Sequence, residues 1–206
     1  MKSLLPEVKS FIENVKYSEI PEKRKVGLQQ PISFLQEKLD KNQPIHLNFI
    51  CTHNSRRSQL CQVWAQTFGY YFGIKNLRAF SGGTETTAFH PNAVRALKDS
   101  GFRIFKDNNE ENPVYLITFS KEKKPVKYYS KVYPEALPQG EKFVAILTCA
   151  HAEANCPFIP EAEARFSLKY EDPEKADGTD HERQTYAERN RQIALEMHYL
   201  FSQLKI

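Results

Sequence analysis

The sequence predicts an α/β fold in which helices cover both faces of a four-stranded parallel sheet, a three-layer, doubly wound arrangement. Short apolar runs alternate along the chain with amphipathic helical segments, and strands that are joined through helices pair in parallel. With 206 residues, 40% of them hydrophobic, the chain is long enough for one domain with a sizeable core. We expect this domain at residues 44–206, after a helical N-terminal extension at residues 1–43.

The extension is predicted to be helical from the spacing of its apolar residues. Val8, Ile12 and Val15 recur at helical intervals. A second helical segment is predicted to begin at Pro31, because proline is common in the first turn of a helix. Nothing in the extension indicates chemistry, so we expect it to pack against the core or against a second copy of the chain.

The core elements follow in order. Strands are predicted at residues 45–50, 77–80, 143–147 and 165–168. The first run is too apolar for a half-exposed strand and is typical of a central parallel one. One helix is predicted from the apolar stripe at Leu60, Trp64 and Phe68, another from Pro91 to Gly101, and a last one over about residues 180–204.

Residues 108–142 are predicted to be an insertion that forms an antiparallel β-hairpin. Two strand-like runs, residues 114–119 and 126–132, flank the turn-forming sequence Lys-Glu-Lys-Lys-Pro. The tyrosines and lysines of this hairpin would either border the entrance of the active site and bind an acidic partner, or belong to an edge strand. In an edge strand, the lysines would prevent pairing with another strand. The sequence leaves both roles open.

An anion-binding loop is predicted where the first strand meets the next helix, with the sequence Cys-Thr-His-Asn-Ser-Arg-Arg-Ser at residues 51–58. Backbone N–H groups of the loop and of the first helical turn, together with the helix dipole, would hold a tetrahedral oxyanion. The same field, with Ser58 as a donor, favours an ionised and nucleophilic Cys51. The predicted oxyanion-binding residues are Thr52, His53, Asn54, Ser55, Arg56, Arg57 and Ser58.

This loop resembles that of the low-molecular-weight protein tyrosine phosphatase superfamily, including its thioredoxin-coupled arsenate reductase branch. The resemblance implies the fold predicted above, with Cys51 as the nucleophile and Arg57 as the residue that grips two oxygens. It also implies that Asp172, which precedes a proline, is the general acid that protonates the leaving oxygen. His53 stands where the family usually has glycine and Arg56 where cysteine is common, which bears on substrate preference.

Cys149 and Cys156 resemble the shuttle thiols of the arsenate reductase branch. The resemblance implies that Cys51 attacks arsenate, that Cys149 then attacks the Cys51 sulfur and releases arsenite, and that Cys156 finally attacks Cys149. A thioredoxin-like protein would reduce the resulting disulfide. The segment between the two cysteines favours a helix that holds them about 10 Å apart, farther than the roughly 7 Å that a disulfide allows. We therefore expect this segment to unwind on oxidation.

Other interpretations stay open beside the arsenate reductase hypothesis. Cys149, His151 and Cys156 would supply three of the four ligands of a structural zinc, and both cysteines also suit inert core positions. The loop fits equally a phosphatase that hydrolyses phosphotyrosine or small phosphoesters through a phosphorylated Cys51. A non-catalytic module that binds an anion or a partner is the third hypothesis.

Charge and cysteine content indicate the kind of substrate and the cellular compartment. The net charge of +4 suits an anionic substrate and is too small and dispersed to favour nucleic acid. No apolar run approaches the roughly 18 residues of a membrane helix, and four cysteines do not make a secreted disulfide framework. We expect a cytoplasmic enzyme that acts on arsenate, on phosphate esters or on a phosphoprotein, with no metal and no tightly bound cofactor.

Overall fold

The structure is a computed structural model that describes residues 1–155 and 158–206. Its α-helices are α1 (Pro6–Glu13), α2 (Glu22–Asp40), α3 (Arg57–Phe72), α4 (Pro91–Asp99), α5 (Ala150–Asn155) and α6 (Glu182–Ser202). Its strands are β1 (Ile45–Cys51), β2 (Leu77–Gly83), β3 (Arg103–Lys106), β4 (Tyr115–Thr118), β5 (Val126–Tyr128), β6 (Phe143–Leu147) and β7 (Ala162–Ser167). Short 3-10 helices lie at Tyr17–Glu19, Tyr133–Glu135 and Pro173–Ala176. Within the described residues, no helix combines the length and apolarity that a membrane crossing requires.

The central sheet has the strand order β2-β1-β6-β7, and all of its pairs are parallel. Because successive strand residues point to opposite faces, Phe49 and Ile50 belong to different apolar cores. The larger core, on the face of α3 and α6, includes Trp64, and the smaller one, on the other face, includes Leu147. The predicted fold class, a doubly wound four-stranded parallel sheet, is confirmed.

Residues 1–43 pack against the larger core. Val8 of α1 and Leu28 of α2 are fully buried there. The prediction that a helix begins at Pro31 is wrong, because α2 begins at Glu22 and continues through the proline. Pro31 is itself buried, and we attribute its place inside the helix to this packing, which offsets the backbone hydrogen bond that a proline forgoes.

Residues 108–142 supply β4 and β5, which join β3 in a separate antiparallel sheet with the order β3-β4-β5. β4 and β5 lie within the two runs predicted for the hairpin. β3 adds a third strand that the sequence did not reveal, because its residues are mostly exposed and show no apolar alternation. Beyond β5 the chain returns to the central sheet, where Gly83 and Val132 form a single parallel bridge.

Candidate active site

The anion loop, residues 51–58, leaves the carboxyl end of β1 and turns into α3. Cys51 is 3% exposed, and its Sγ atom lies 3.0 Å from the Ser58 Oγ atom. A small cavity in front of the loop is lined by Cys51, His53, Ser55, Arg56, Arg57 and Asp172. The structure thus brings the predicted nucleophile, oxyanion ligand and general acid to one cavity.

Asn54 gives the loop its shape. Its φ angle of 48° is left-handed, a conformation that asparagine adopts more readily than most residues. The buried side-chain amide donates to the hydroxyls of Ser58 at 2.8 Å and Ser81 at 2.9 Å, and its oxygen accepts from the Gln59 side chain at 3.1 Å. Because the Ser58 oxygen accepts this bond, its own proton is available for the sulfur of Cys51.

The turn after β2 packs against the anion loop. The backbone N–H of Thr84 donates to the Cys51 carbonyl at 3.1 Å, and that of Glu85 donates to the Thr52 carbonyl at 2.9 Å. At Gly83 a Cβ atom would lie 2.5 Å from the Thr52 carbonyl oxygen and 2.2 Å from that of Glu85. Only glycine allows the two backbones to approach this closely.

Residues 129–131 hold the anion loop through hydrogen bonds. Ser130 donates its hydroxyl to the His53 carbonyl at 2.8 Å, and the Lys131 N–H donates to the Asn54 side chain at 3.0 Å. The Gln59 amide donates to the Tyr129 carbonyl at 2.8 Å. Burial lowers the pKa of Lys131 to about 8. The segment that follows the hairpin is therefore part of the framework of the loop.

Arg57 is turned toward the segment that carries Asp172. Its Nη1 atom donates to the Tyr170 carbonyl at 3.2 Å and its Nη2 atom pairs with the Asp172 carboxylate, while its buried Nε atom has no partner among the described residues. Asp172 also accepts from the Glu174 N–H at 3.2 Å. An incoming oxyanion would compete with Asp172 for the guanidinium and complete its hydrogen bonding.

Cys149 lies beside the anion loop because β6 pairs with β1. It follows the strand end directly, is 2% exposed, and its Sγ atom lies 3.6 Å from the Thr52 Oγ1 atom. The same hydroxyl lies 3.2 Å from the His151 Nδ1 atom, and the Ala152 N–H donates to the Cys149 sulfur at 3.3 Å. Cys156, and with it the predicted unwinding, lies outside the described residues.

Among the described residues, no three His, Cys, Asp or Glu side chains are grouped to hold an ion. Cys156, one of the three candidate zinc ligands, lies outside those residues. Cys61 of α3 is fully buried in the larger core. Burial raises its pKa well above the ordinary value, which makes this thiol inert at neutral pH.

Arg56 borders the small cavity, and its guanidinium is bound to protein side chains. Its Nε atom donates to the Tyr186 hydroxyl at 2.7 Å and its Nη2 atom to Asp177 at 2.9 Å, and the Tyr186 hydroxyl donates to Asp177 at 2.8 Å. The His90 ring stacks on Tyr186 with 5.5 Å between centroids. We call Arg56, His90, Asp177 and Tyr186 the Arg56 cluster. Burial, followed by repulsion from Arg56, lowers the pKa of His90.

A second, larger cleft of about 600 Å³ opens beside the small cavity. Arg57, Asp172 and Cys149 form one side of it, and Arg24 of α2 and Arg189 of α6 line it as well. These two arginines were not predicted as site residues, because isolated charges on amphipathic helices are usually solvated. Arg24 pairs with Glu196, which is 1% exposed. The burial of this carboxylate could not be predicted, because Glu196 lies in a helix rich in charged residues.

No family model matches the sequence. Its relatives include an arsenate reductase from Halalkalibacterium halodurans, 30% identical over 135 residues that make up 66% of this chain and 78% of that protein. An arsenate reductase from Bacillus subtilis is 28% identical over 143 residues, covering 69% of this chain and 84% of the relative.

Similar folds occur among solved structures. The low-molecular-weight protein tyrosine phosphatase from T. tengcongensis superposes with a TM-score of 0.53, at 20% identity over 78% of this chain and 99% of that one. An arsenate reductase in its phosphate-binding state gives a TM-score of 0.51, also at 20% identity, over 78% and 99% of the two chains. These likenesses show the fold, and the 30% identical relative shows the family. The chain belongs to the arsenate reductases, thiol-dependent enzymes of the low-molecular-weight protein tyrosine phosphatase superfamily.

Proposed function

We propose that the protein reduces arsenate to arsenite with its own thiols. The observation that carries the proposal is the position of Cys51 and Cys149 at the ends of adjacent strands, with the Thr52 hydroxyl 3.6 Å from the second sulfur. Hydrolysis of an ester needs only the first thiol. A reduction needs two electrons, and two neighbouring thiols supply them when they join as a disulfide.

In the first step the oxyanion binds to the backbone N–H groups of the loop and to Arg57. The Cys51 sulfur attacks arsenic, an S–As bond forms, and one oxygen leaves as water with a proton from Asp172. Asp172 suits this role because it lines the same small cavity as the sulfur. General acid catalysis of this kind contributes roughly 10²- to 10⁴-fold.

In the second step the Cys149 sulfur attacks Cys51. The S–S bond forms as the S–As bond breaks, and the electron pair stays on arsenic, which leaves as arsenite. Cys156 would then attack Cys149 and free Cys51, and a thioredoxin-type dithiol would reduce the Cys149–Cys156 disulfide. Such a cycle requires a reducing compartment, which supports a cytoplasmic location.

The test compares two reactions on the same variant. For Cys149→Ser we expect arsenite release, driven by a thioredoxin system, to fall to background, while p-nitrophenyl phosphate hydrolysis stays within about threefold of wild type, since only the reduction uses the second thiol. Cys61→Ala is the matched control, because it removes a buried thiol that takes no part in the cycle. Equal loss of both reactions in Cys149→Ser would contradict the relay.

A phosphatase is the second candidate, and a specific observation favours it. Cys51, Ser58, Arg57 and Asp172 form a complete site for phosphoester hydrolysis without Cys149. Arsenate and phosphate are nearly isosteric, so this site alone does not select between them. Turnover of phosphotyrosine peptides or a phosphoprotein, with no arsenite release by the wild-type protein, would establish this function. Anion binding without any turnover, unchanged in Cys51→Ser, would instead indicate a binding module.

A further inference from the structure

We propose that Arg24, in helix α2 of the N-terminal extension, is a positioning residue that holds the segment carrying Asp172 while an oxyanion occupies Arg57. The inference rests on the proposed function, in which Asp172 is the general acid. Three observations carry it: which bonds tie Asp172 to the protein, what fixes the neighbouring Tyr170, and how Arg24 is itself held.

The main bond that holds Asp172 is one that an oxyanion displaces. The Arg57 Nη2 atom pairs with the Asp172 carboxylate, and the same guanidinium is the proposed ligand of the oxyanion. As a general acid, Asp172 must also carry a proton at that moment, which removes its charge and its attraction to the arginine. Its other bond, from the Glu174 N–H at 3.2 Å, lies within the same turn. During turnover Asp172 therefore depends on how its segment is held.

Tyr170, just upstream of Asp172, ties this segment to the sheet and to the anion loop. Its N–H donates to the Thr148 carbonyl at 3.0 Å, and its own carbonyl accepts from the Arg57 Nη1 atom at 3.2 Å. The residue is buried. A displacement of about 1 Å is enough to slow a reaction strongly, so a shift of Tyr170 would misplace the acid.

Arg24 contacts this stretch from the extension. Its Nη1 atom donates to the Lys169 carbonyl at 3.0 Å, and its guanidinium lies over the Tyr170 ring, 5.0 Å from the ring centroid. A cation over an aromatic ring is attracted to it, most strongly where water is excluded. One side chain thus fixes two consecutive residues, the first through its backbone and the second through its ring.

Glu196 of α6 fixes the guanidinium of Arg24. Its carboxylate, 1% exposed, accepts from the Arg24 Nε atom at 2.9 Å and from the Nη2 atom. Pairing through two bonds sets the orientation of the guanidinium plane. The Gln192 amide donates to the same carboxylate at 3.0 Å. Each nitrogen of Arg24 therefore has a protein partner, which indicates support of the segment rather than binding of a ligand.

A second arginine also joins the extension to α6, but away from the cleft. Arg191 of α6 donates to both carboxylate oxygens of Glu19, at 2.8 Å each, and does not line the cleft as Arg24 does. The two pairs have the same chemistry and connect the same two parts of the chain. Arg191→Lys is therefore the matched control for Arg24→Lys, since it would loosen the extension without touching the Asp172 segment.

The first test measures hydrolysis of two aryl phosphates per folded molecule. Phenol needs a proton as it leaves and p-nitrophenol needs little, so a misplaced acid slows phenyl phosphate more. For Arg24→Lys, which keeps a positive charge beside Glu196, we expect kcat to fall about tenfold with phenyl phosphate and less than about threefold with p-nitrophenyl phosphate. Arg191→Lys should change neither rate by more than about threefold.

The double variant Arg24→Lys/Asp172→Asn shows whether Arg24 acts through Asp172. Without the acid there is nothing to position, so Arg24→Lys should slow phenyl phosphate hydrolysis by less than about twofold in the Asp172→Asn background. Equal losses with both substrates in Arg24→Lys, or the same loss in both backgrounds, would overturn the proposal alone. If Asp172→Asn itself slowed both substrates equally, Asp172 would not be the general acid and the inference would fail with it.

The second test needs no turnover. In protein saturated with inorganic phosphate, hydrogen exchange of the Tyr170 and Glu174 amides is followed by NMR. We expect exchange at least about tenfold faster in Arg24→Lys than in wild type, because local opening of the segment becomes easier. Arg191→Lys should exchange these amides at the wild-type rate. Equal exchange in all three proteins would contradict a role of Arg24 in holding the segment.

Discussion

Arg56 and Arg57 are neighbours at the start of α3, yet their side chains serve different parts of the molecule. Arg57 faces the small cavity and the large cleft and keeps a buried Nε atom without a described partner. Arg56 directs its Nε atom to Tyr186 and its Nη2 atom to Asp177 and Glu174. Arg57 keeps a donor for a ligand, whereas Arg56 gives its Nε and Nη2 atoms to the protein.

Two arginines at the same helix end thus have different roles, because Arg57 is available to a ligand and Arg56 stabilises the surrounding structure. Each arginine pairs with an aspartate from the same stretch of chain, Arg57 with Asp172 and Arg56 with Asp177. These two aspartates flank the 3-10 helix Pro173–Ala176. The stretch that carries the proposed general acid is thus held at both ends by consecutive residues of the anion loop.

The largest effect is expected for Arg57→Lys. A lysine offers one ammonium in place of a planar fork, so two oxygens of the oxyanion lose their shared ligand. We expect kcat for arsenite release and for p-nitrophenyl phosphate hydrolysis to fall about 10³-fold, the cost of a lost oxyanion donor. Steady-state kinetics measures this. Thermal unfolding should show a stability within about 1 kcal/mol of wild type, because a lysine keeps a positive charge beside Asp172 in this partly buried pair.

Asp172→Asn should have the next largest effect. An amide cannot donate the proton that the leaving oxygen needs, so hydrolysis of phenyl phosphate should fall about 10²-fold. Hydrolysis of p-nitrophenyl phosphate should fall less, because its leaving group needs little protonation. Asp177→Asn is the matched variant at the other end of the stretch, and its rates should stay within about threefold. Equal rate losses in the two variants would contradict the different roles of Arg57 and Arg56, since each arginine pairs with one of these aspartates.

Arg56→Met should instead affect stability. It leaves the Tyr186 hydroxyl and the Asp177 carboxylate without the guanidinium donor. We expect the free energy of unfolding to fall by about 2 kcal/mol. This is less than for a fully buried pair, because Asp177 is partly exposed. Chemical denaturation measures this loss. Turnover per folded molecule should stay within about threefold, and a 10³-fold loss would show that Arg56 also binds the oxyanion.

The sequence predicted the sheet, the anion loop and the place of Asp172 because these depend on local patterns: apolar runs, a strand followed directly by a helix, and a proline after an aspartate. The division between Arg56 and Arg57 was not predictable. Both are polar residues in one loop. Arg56 bonds to Tyr186 only because α6 packs beside this loop, and the sequence does not show that packing. The role of the extension was missed for the same reason, since Arg24 reaches the cleft only through contacts distant in sequence.

The smallest predicted effect is on the titration of His90. Burial and then repulsion from Arg56 lower its pKa below that of an unfolded chain, against attraction from Asp177, Glu182 and Glu174. Between the two pKa values the unfolded chain binds more protons, so stability falls as the pH drops through about 6.5 toward the folded pKa.

Removing Arg56 removes the repulsion, so in Arg56→Met the pKa of His90 should rise toward its ordinary value and the acid loss of stability should shrink. His198 provides an internal control, because burial among other residues lowers its pKa to about 4, and Arg56 is not among the causes. NMR titration of both rings tests this. A rise at His90 alone would show that Arg56 acts on its own cluster, whereas equal shifts at both histidines would indicate that the whole fold had loosened.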